Sequence, residues 1–157
     1  LDRFPQVTTR PDVHAEEHAL EVHLPFLQRV LGQFSIVPLA VGEVSPDLVA
    51  EVLDAVWGGP ETLVVISTDL SHYLPYQRAR AVDQDSIAQL LAGKAPLDHQ
   101  QACGATPVNG VMLAARRRGL EPRLLGACNS GDTAGDRDRV VGYASFALAP
   151  ELAGVAP

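Results

Sequence analysis

Three short stretches of this 157-residue chain carry residue types and spacings suited to proton transfer or metal binding. The first is Glu17-His18-Ala19-Leu20-Glu21-Val22-His23. On a helix, Glu17 and Glu21 stand one turn apart and share a face, and His18 meets Glu21 at a spacing of three. An imidazole beside a carboxylate suits a metal site or a proton relay, because the carboxylate fixes the tautomer and raises the basicity of the ring. The stretch is not the HExxH zinc motif, since Ala19 follows His18 and no histidine lies four residues on. The competing reading is an exposed helix start whose acids favour the positive end of the dipole.

The second stretch, Thr68-Asp69-Leu70-Ser71-His72, follows an apolar run directly. In α/β sheets ligands bind beyond the carboxyl ends of strands. Asp69 and His72 are three apart, which allows an imidazole oriented by a carboxylate and fit for general acid and base work. The alternative is that Asp69 caps a turn and His72 faces solvent. The third stretch is Ala102-Cys103-Gly104-Ala105-Thr106-Pro107, ahead of a predicted helix. A helix N-terminus favours the thiolate, the form that acts as nucleophile or soft ligand; against this stands the inert thiol that most single cysteines are. Cys128 has no neighbouring base and is read as inert, and His14 and His99 as surface residues. Gly131 to Asp136 lacks the spacing of a calcium loop and the lysine of a phosphate loop, so a tight structural turn is expected there.

The elements that must hold these residues follow from periodicity. Residues 1–13, with Pro5 and Pro11, read as an irregular lead, 14–149 as the core of a single domain, and Pro150 to Pro157 as a frayed tail. Leu20, Leu24, Leu27 and Leu31 recur at helical spacing from Glu16 onward, with Gly32 as the stop and Pro25 as an internal kink. Phe34 to Val41 reads as a short buried strand. Ser45-Pro46-Asp47 caps a helix through Val56. Thr62 to Ser67 (TLVVIS) reads as a central parallel strand. Helices are predicted over Arg78–Leu91 and Pro107–Arg118, and strands over Arg123–Ala127 and Val140–Leu148. This order indicates an α/β fold.

Composition removes other classes. With 46% hydrophobic and 20% charged residues, the chain is too apolar for disorder and too charged for a spanning helix. A soluble, cytoplasmic protein with no membrane contact is expected. Twelve basic against nineteen acidic side chains give a net charge of −7, which argues against nucleic acid as a partner. Arg116-Arg117-Arg118 reads as the solvated end of a helix. Two cysteines cannot make a disulfide framework. The chain opens on Leu1 and its only methionine is Met112, so a processed or truncated piece of something longer is expected.

Four strings carry a family resemblance. EHALEVHLPFL (Glu17 to Leu27), STDLSHY (Ser67 to Tyr73), ACGATPVNGVM (Ala102 to Met112) and NSGDTAGDRDRVVGYASFAL (Asn129 to Leu148) stand in the order of the signatures of the MEMO family. They look most like its bacterial members, of the AmmeMemoRadiSam system protein B type. The resemblance implies a mixed sheet flanked by helices around a non-haem metal pocket, similar to that of class III extradiol dioxygenases, here without its N-terminal half. It also implies that Cys103 is a metal ligand, that His72 with Asp69 beside it occupies the acid/base position, and that Glu17, His18 and His23 line the substrate pocket. The family's two metal-binding histidines precede the Glu17 segment, outside this chain. The implied cofactor is an iron or copper ion, the implied partners an unknown small molecule and AmmeMemoRadiSam proteins, and the implied activity that of a dioxygenase-like oxidoreductase. Two rivals stay open: a non-catalytic interaction or small-molecule-binding module, and a cysteine hydrolase using Cys103 with His72 as base.

Overall fold

The computed structural model describes residues 1, 3–93, 96–133 and 135–150. Two single-turn 3-10 helices, Pro11–His14 and Glu21–His23, precede helices α1 (Leu24–Val30), α2 (Pro46–Val56), α3 (Tyr76–Leu91), α4 (Ala105–Arg117) and α5 (Ser130–Thr133). Strands β1 (His72–Leu74), β2 (Leu120–Asn129) and β3 (Val140–Pro150) form a sheet in the order β1-β3-β2, with both pairs antiparallel. The expected α/β class, a sheet flanked by helices, is found.

Local signals set several of these elements. Ser45 accepts the Leu48 N–H at 3.2 Å, Pro46 opens α2, and Val49, Ala50, Val52 and Leu53 form its buried face. α4 lies across α2 and the sheet, so its apolar stripe is shared. Ala105 and Val108 join Leu70, Ile87, Leu97 and Ala102 in one cluster, while Val111 and Ala114 join Val49, Ala50 and Leu53 in another. Asn109 pins the approach to α4 by exchanging two 2.9 Å hydrogen bonds with the Leu97 backbone.

Four expectations are corrected. The single helix from Glu16 to Leu31 is instead the 3-10 turn and the seven-residue α1, with Glu17 to Leu20 outside any helix. Pro25 lies in the first turn of α1, where its missing N–H costs nothing, and so produces a start rather than a kink. Phe34 to Val41 forms no strand, and Ile36 and Val37 are exposed. Thr62 to Ser67 is extended but has no ladder partner among the described residues: Val64 and Ile66 turn to the core while Leu63 is 65% exposed. An apolar run has strand geometry in itself, but strand pairing belongs to two chains. The Asn129 to Asp136 turn contains the one-turn α5, and the tail expected to fray lies outside the described residues from 151 on, whereas Pro150 pairs with Leu120 at the end of β3.

The arginine run is a fifth correction. Arg117 and Arg118 both reach the Asp54 carboxylate of α2, Arg117 at 2.7 Å, and the Arg118 guanidinium stacks 4.3 Å from the Trp57 ring centre. Burial acts to raise the Asp54 pKa, but the hydrogen bonds and charges of Arg118 and Arg117 outweigh it and hold the group below its ordinary value. A carboxylate depressed in the folded state stabilises above its unfolded pKa near 3.9, and that stability is lost as pH falls through the folded value. Asp54→Asn is therefore expected to cost about 1–2 kcal/mol at pH 7. The gap to the parent should close below a pH of about 4, as read by thermal denaturation across pH.

Candidate functional site

The end of the extended run and the start of α4 are held together by side chains from sequence-distant segments. Thr68 Oγ1 accepts the Gly104 N–H at 2.8 Å and donates to the Asp69 carbonyl at 2.8 Å. Cys103 Sγ accepts the Asp69 backbone N–H at 3.4 Å and lies 3.5 Å from Thr68 Oγ1. The approach is this close because Gly104 has no side chain: a Cβ there would stand 2.8 Å from both Thr68 Cβ and Oγ1. Cys103 is exposed, one residue before the Gly104 N-cap of α4.

His72 opens β1, and its Nε2 lies 3.6 Å from Asp69 Oδ2, within ion-pair distance but beyond a hydrogen bond. The next residue is unusual. Tyr73 has φ +56°, a left-handed conformation that costs a non-glycine residue about 1–3 kcal/mol. His72 pairs with Val141 and Leu74 with Val140, so Tyr73 is an extra residue in β1, a bulge that aims the side chains on either side of it. Its ring is capped by the Arg139 guanidinium at 4.9 Å and meets the His72 ring edge-on at 5.8 Å.

The Glu17 to His23 segment reaches this cluster at one end only. His23 Nε2 lies 2.9 Å from Ser67 Oγ, 44 positions away in sequence. His18 and Glu21 pair with each other at 2.7 Å on the surface, and Glu17 accepts the Ala19 N–H at 2.7 Å. Asp69, His72, Cys103 and His23 thus gather around residues 67–69, while Glu17 and His18 make only local contacts. His99, read as a surface residue, is exposed and lies 3.1 Å from the Cys103 carbonyl and 3.2 Å from Thr106 Oγ1, bracing the approach to α4.

Sequence reasoning passed over Tyr143. Leu70 N–H donates to the Gly142 carbonyl and Gly142 N–H to the Ser71 carbonyl, each at 2.8 Å, which puts Tyr143 of β3 beside the Asp69 segment. Burial pushes the Tyr143 phenol pKa up, and the Asp69 and Cys128 charges add to this. Tyr143 stands inside the fourth family string, but nothing local to that string gives it a role. The chemistry available is a sulfur held by a backbone N–H, a carboxylate and imidazole pair next to it, and a phenol nearby. Among the described residues, no three His, Cys, Asp or Glu side chains form a group able to hold a metal ion. None of their helices is long and apolar enough to cross a membrane.

Comparison with known proteins places this arrangement in context. Residues 2–147 match the family described as Memo-like protein. The chain is 34% identical over 149 residues to a MEMO1 family protein of Sulfolobus acidocaldarius, covering 84% of this chain and 51% of the relative. It is 37% identical over 153 residues to one of Methanopyrus kandleri, covering 85% and 52%, and 32% identical over 160 residues to one of Archaeoglobus fulgidus, covering 93% and 61%. The chain spans about half the length of most of the curated relatives it matches.

Proposed function

The chain belongs to the Memo-like family, and from that premise we propose that the cluster at residues 67–72 and 103 is one wall of a metal-binding, redox-active pocket. The observation that supports this reading is the position of Asp69, whose backbone N–H meets Cys103 Sγ at 3.4 Å while its carboxylate stands 3.6 Å from His72 Nε2. One segment thereby orients a soft ligand and a proton carrier together. In this reading Cys103 is the metal ligand that this chain contributes, and the two histidines that the family resemblance implies complete the set around an iron or copper ion. When bound, such an ion supplies one-electron chemistry.

The chain's own residues have narrower tasks. Asp69 stands beside the His72 imidazole as a charge partner, and His72 moves a proton to or from the unknown small-molecule substrate. His23, tied to Ser67, borders the substrate side; Glu17 and His18 reach it only if their surface segment turns inward. The bacterial subtype, AmmeMemoRadiSam partners and a cytoplasmic location belong to the same reading.

The test is Cys103→Ser in a polypeptide extended to the length of the relatives. Bound iron or copper is expected to fall at least about tenfold, since even losing an outer partner that orients a metal ligand acts on that scale. Unchanged metal content overturns the reading.

The exposed Leu63 and Val65, on an extended segment without a ladder partner among the described residues, favour a second reading as an interaction module. The hydrolase reading has no such support: Cys103 Sγ contacts Thr68 and the Asp69 backbone, and among the described residues no histidine lies within hydrogen-bond distance of it.

A further inference from the structure

The extended run at 62–67 is apolar on both faces, yet this chain covers only one of them. Val64 and Ile66 pack into the core, whereas Leu63 is 65% and Val65 44% exposed. Among the described residues the run has no ladder partner, and the three-stranded sheet does not include it. A strand that ends a sheet in water is usually blunted by charge, proline or a bulge. A run of apolar residues on both faces is the mark of an interior strand, flanked by neighbours and covered by a layer on each side.

A second element has the same imbalance and touches this run. No residue of Glu21–His23 or of α1 is buried. Phe26 and Val30, four apart on one face of α1, are 73% and 75% exposed. A seven-residue helix owes its stability to the packing of an apolar face, since its own hydrogen bonds do not suffice in water. The 2.9 Å contact of His23 Nε2 with Ser67 Oγ fixes the start of α1 at the end of the extended run, so the two apolar surfaces meet there.

The length of the relatives indicates what covers them. This chain spans 51% of the Sulfolobus acidocaldarius relative and 52% of the Methanopyrus kandleri one, so the remaining half of such a polypeptide is itself of domain size. That is enough to supply both a strand and a layer. We propose that residues 62–67 and α1 form one docking surface for the polypeptide that Memo-like relatives carry beyond the matched half: one of its strands ladders onto the run, and its apolar side chains cover Leu63, Val65 and the Phe26 and Val30 face. The proposal rests on the interaction reading above and names its partner.

The test compares hydrogen exchange and thermal stability in the 157-residue chain and in a polypeptide extended to the length of the relatives. The amides of residues 63–67 are expected to exchange at least about a hundredfold more slowly in the extended polypeptide. Val65→Lys should leave the melting temperature of the 157-residue chain near that of the parent, as surface substitutions do. In the extended polypeptide it should lower it by at least about 6 °C, because the ammonium would be buried without a partner. Phe26→Glu should divide the two in the same way from α1. Equal exchange in both polypeptides, or an equal effect of Val65→Lys in both, overturns the proposal. So does a concentration-dependent dimer of the 157-residue chain with the 63–67 amides protected, which would make a second copy the occupant; the interaction reading survives that result and falls if these amides are unprotected in every state. Neither readout involves metal, so the Cys103 reading is tested separately.

Discussion

Gly110→Val is expected to lower stability by about 3 kcal/mol or more, as overpacking at a rigid contact does. Sequence considerations alone suggest the opposite direction for the milder Gly110→Ala. A glycine inside a helix costs about 1 kcal/mol relative to alanine, and Gly110 is in the middle of the 13-residue α4. Space reverses the sign. A Cβ at position 110 would stand 2.5 Å from Val49 Cγ1, 2.6 Å from Val49 Cβ and 3.1 Å from the Pro46 carbonyl. Val49 is 8% exposed and β-branched, with one strongly preferred rotamer in a helix, and Pro46 O is backbone, so neither can retreat. α2 would have to lift from α4, opening the cluster of Val49, Ala50, Leu53, Val111 and Ala114. For a chain of this size the loss corresponds to roughly 6–12 °C in melting temperature. A rise in melting temperature for Gly110→Ala would mean the two helices do not cross this closely.

Gly104→Val should cost about 2–3 kcal/mol and, unlike Gly110→Val, act on the candidate site. The backbone at Gly104 (φ −90°) is open to any residue, so the requirement for glycine is one of space alone. Besides Thr68, the Ser67 carbonyl lies 3.0 Å from the position a Cβ would take. The larger side chain separates residues 67–69 from the start of α4, breaking the 2.8 Å bond from Gly104 N–H to Thr68 Oγ1 and drawing Cys103 Sγ off the Asp69 N–H. The expected signature is a large change in the Asp69 amide resonance together with lower thermal stability. Gly126→Ala serves as the control: no atom lies within 4 Å of its Cβ position, and its melting temperature should stay near that of the parent. An Asp69 resonance unmoved in Gly104→Val would show that Cys103 is not held by this segment.

Much of the fold was legible in the chain. The Ser45 cap and the helical stripes of α3 and α4 arise from interactions within a few residues, which sequence spacing records; the two long strands near the end were legible as runs, and pair with each other across a short connection. The first strand-like runs were misread for the complementary reason. Phe34 to Val41 and Thr62 to Ser67 have strand composition, but a ladder needs a neighbour, and no spacing within a run can supply one. Pro25 was legible as a helix disruptor but not as a helix start, because the choice depends on which flanking residues pack.

The candidate site divides along the same line. The Asp69 and His72 pairing is three residues long and visible in the sequence, as are the four motifs that carry the family. The meeting of Cys103 with Asp69 spans 34 positions, and that of His23 with Ser67 spans 44. Both depend on how α4 and the Glu21–His23 turn dock against the extended run. Glu17 and His18, equally prominent as a motif, make only local contacts. Arg117 and Arg118, read as solvated charge, bind Asp54 across a helix pair. Tyr143 lies within the fourth string yet has no assigned role there, since what sets it apart is the segment it faces. Local interactions are written in the spacing of residues. Contacts between distant segments are written in packing, where a missing side chain at Gly104 or Gly110 decides how closely two elements approach.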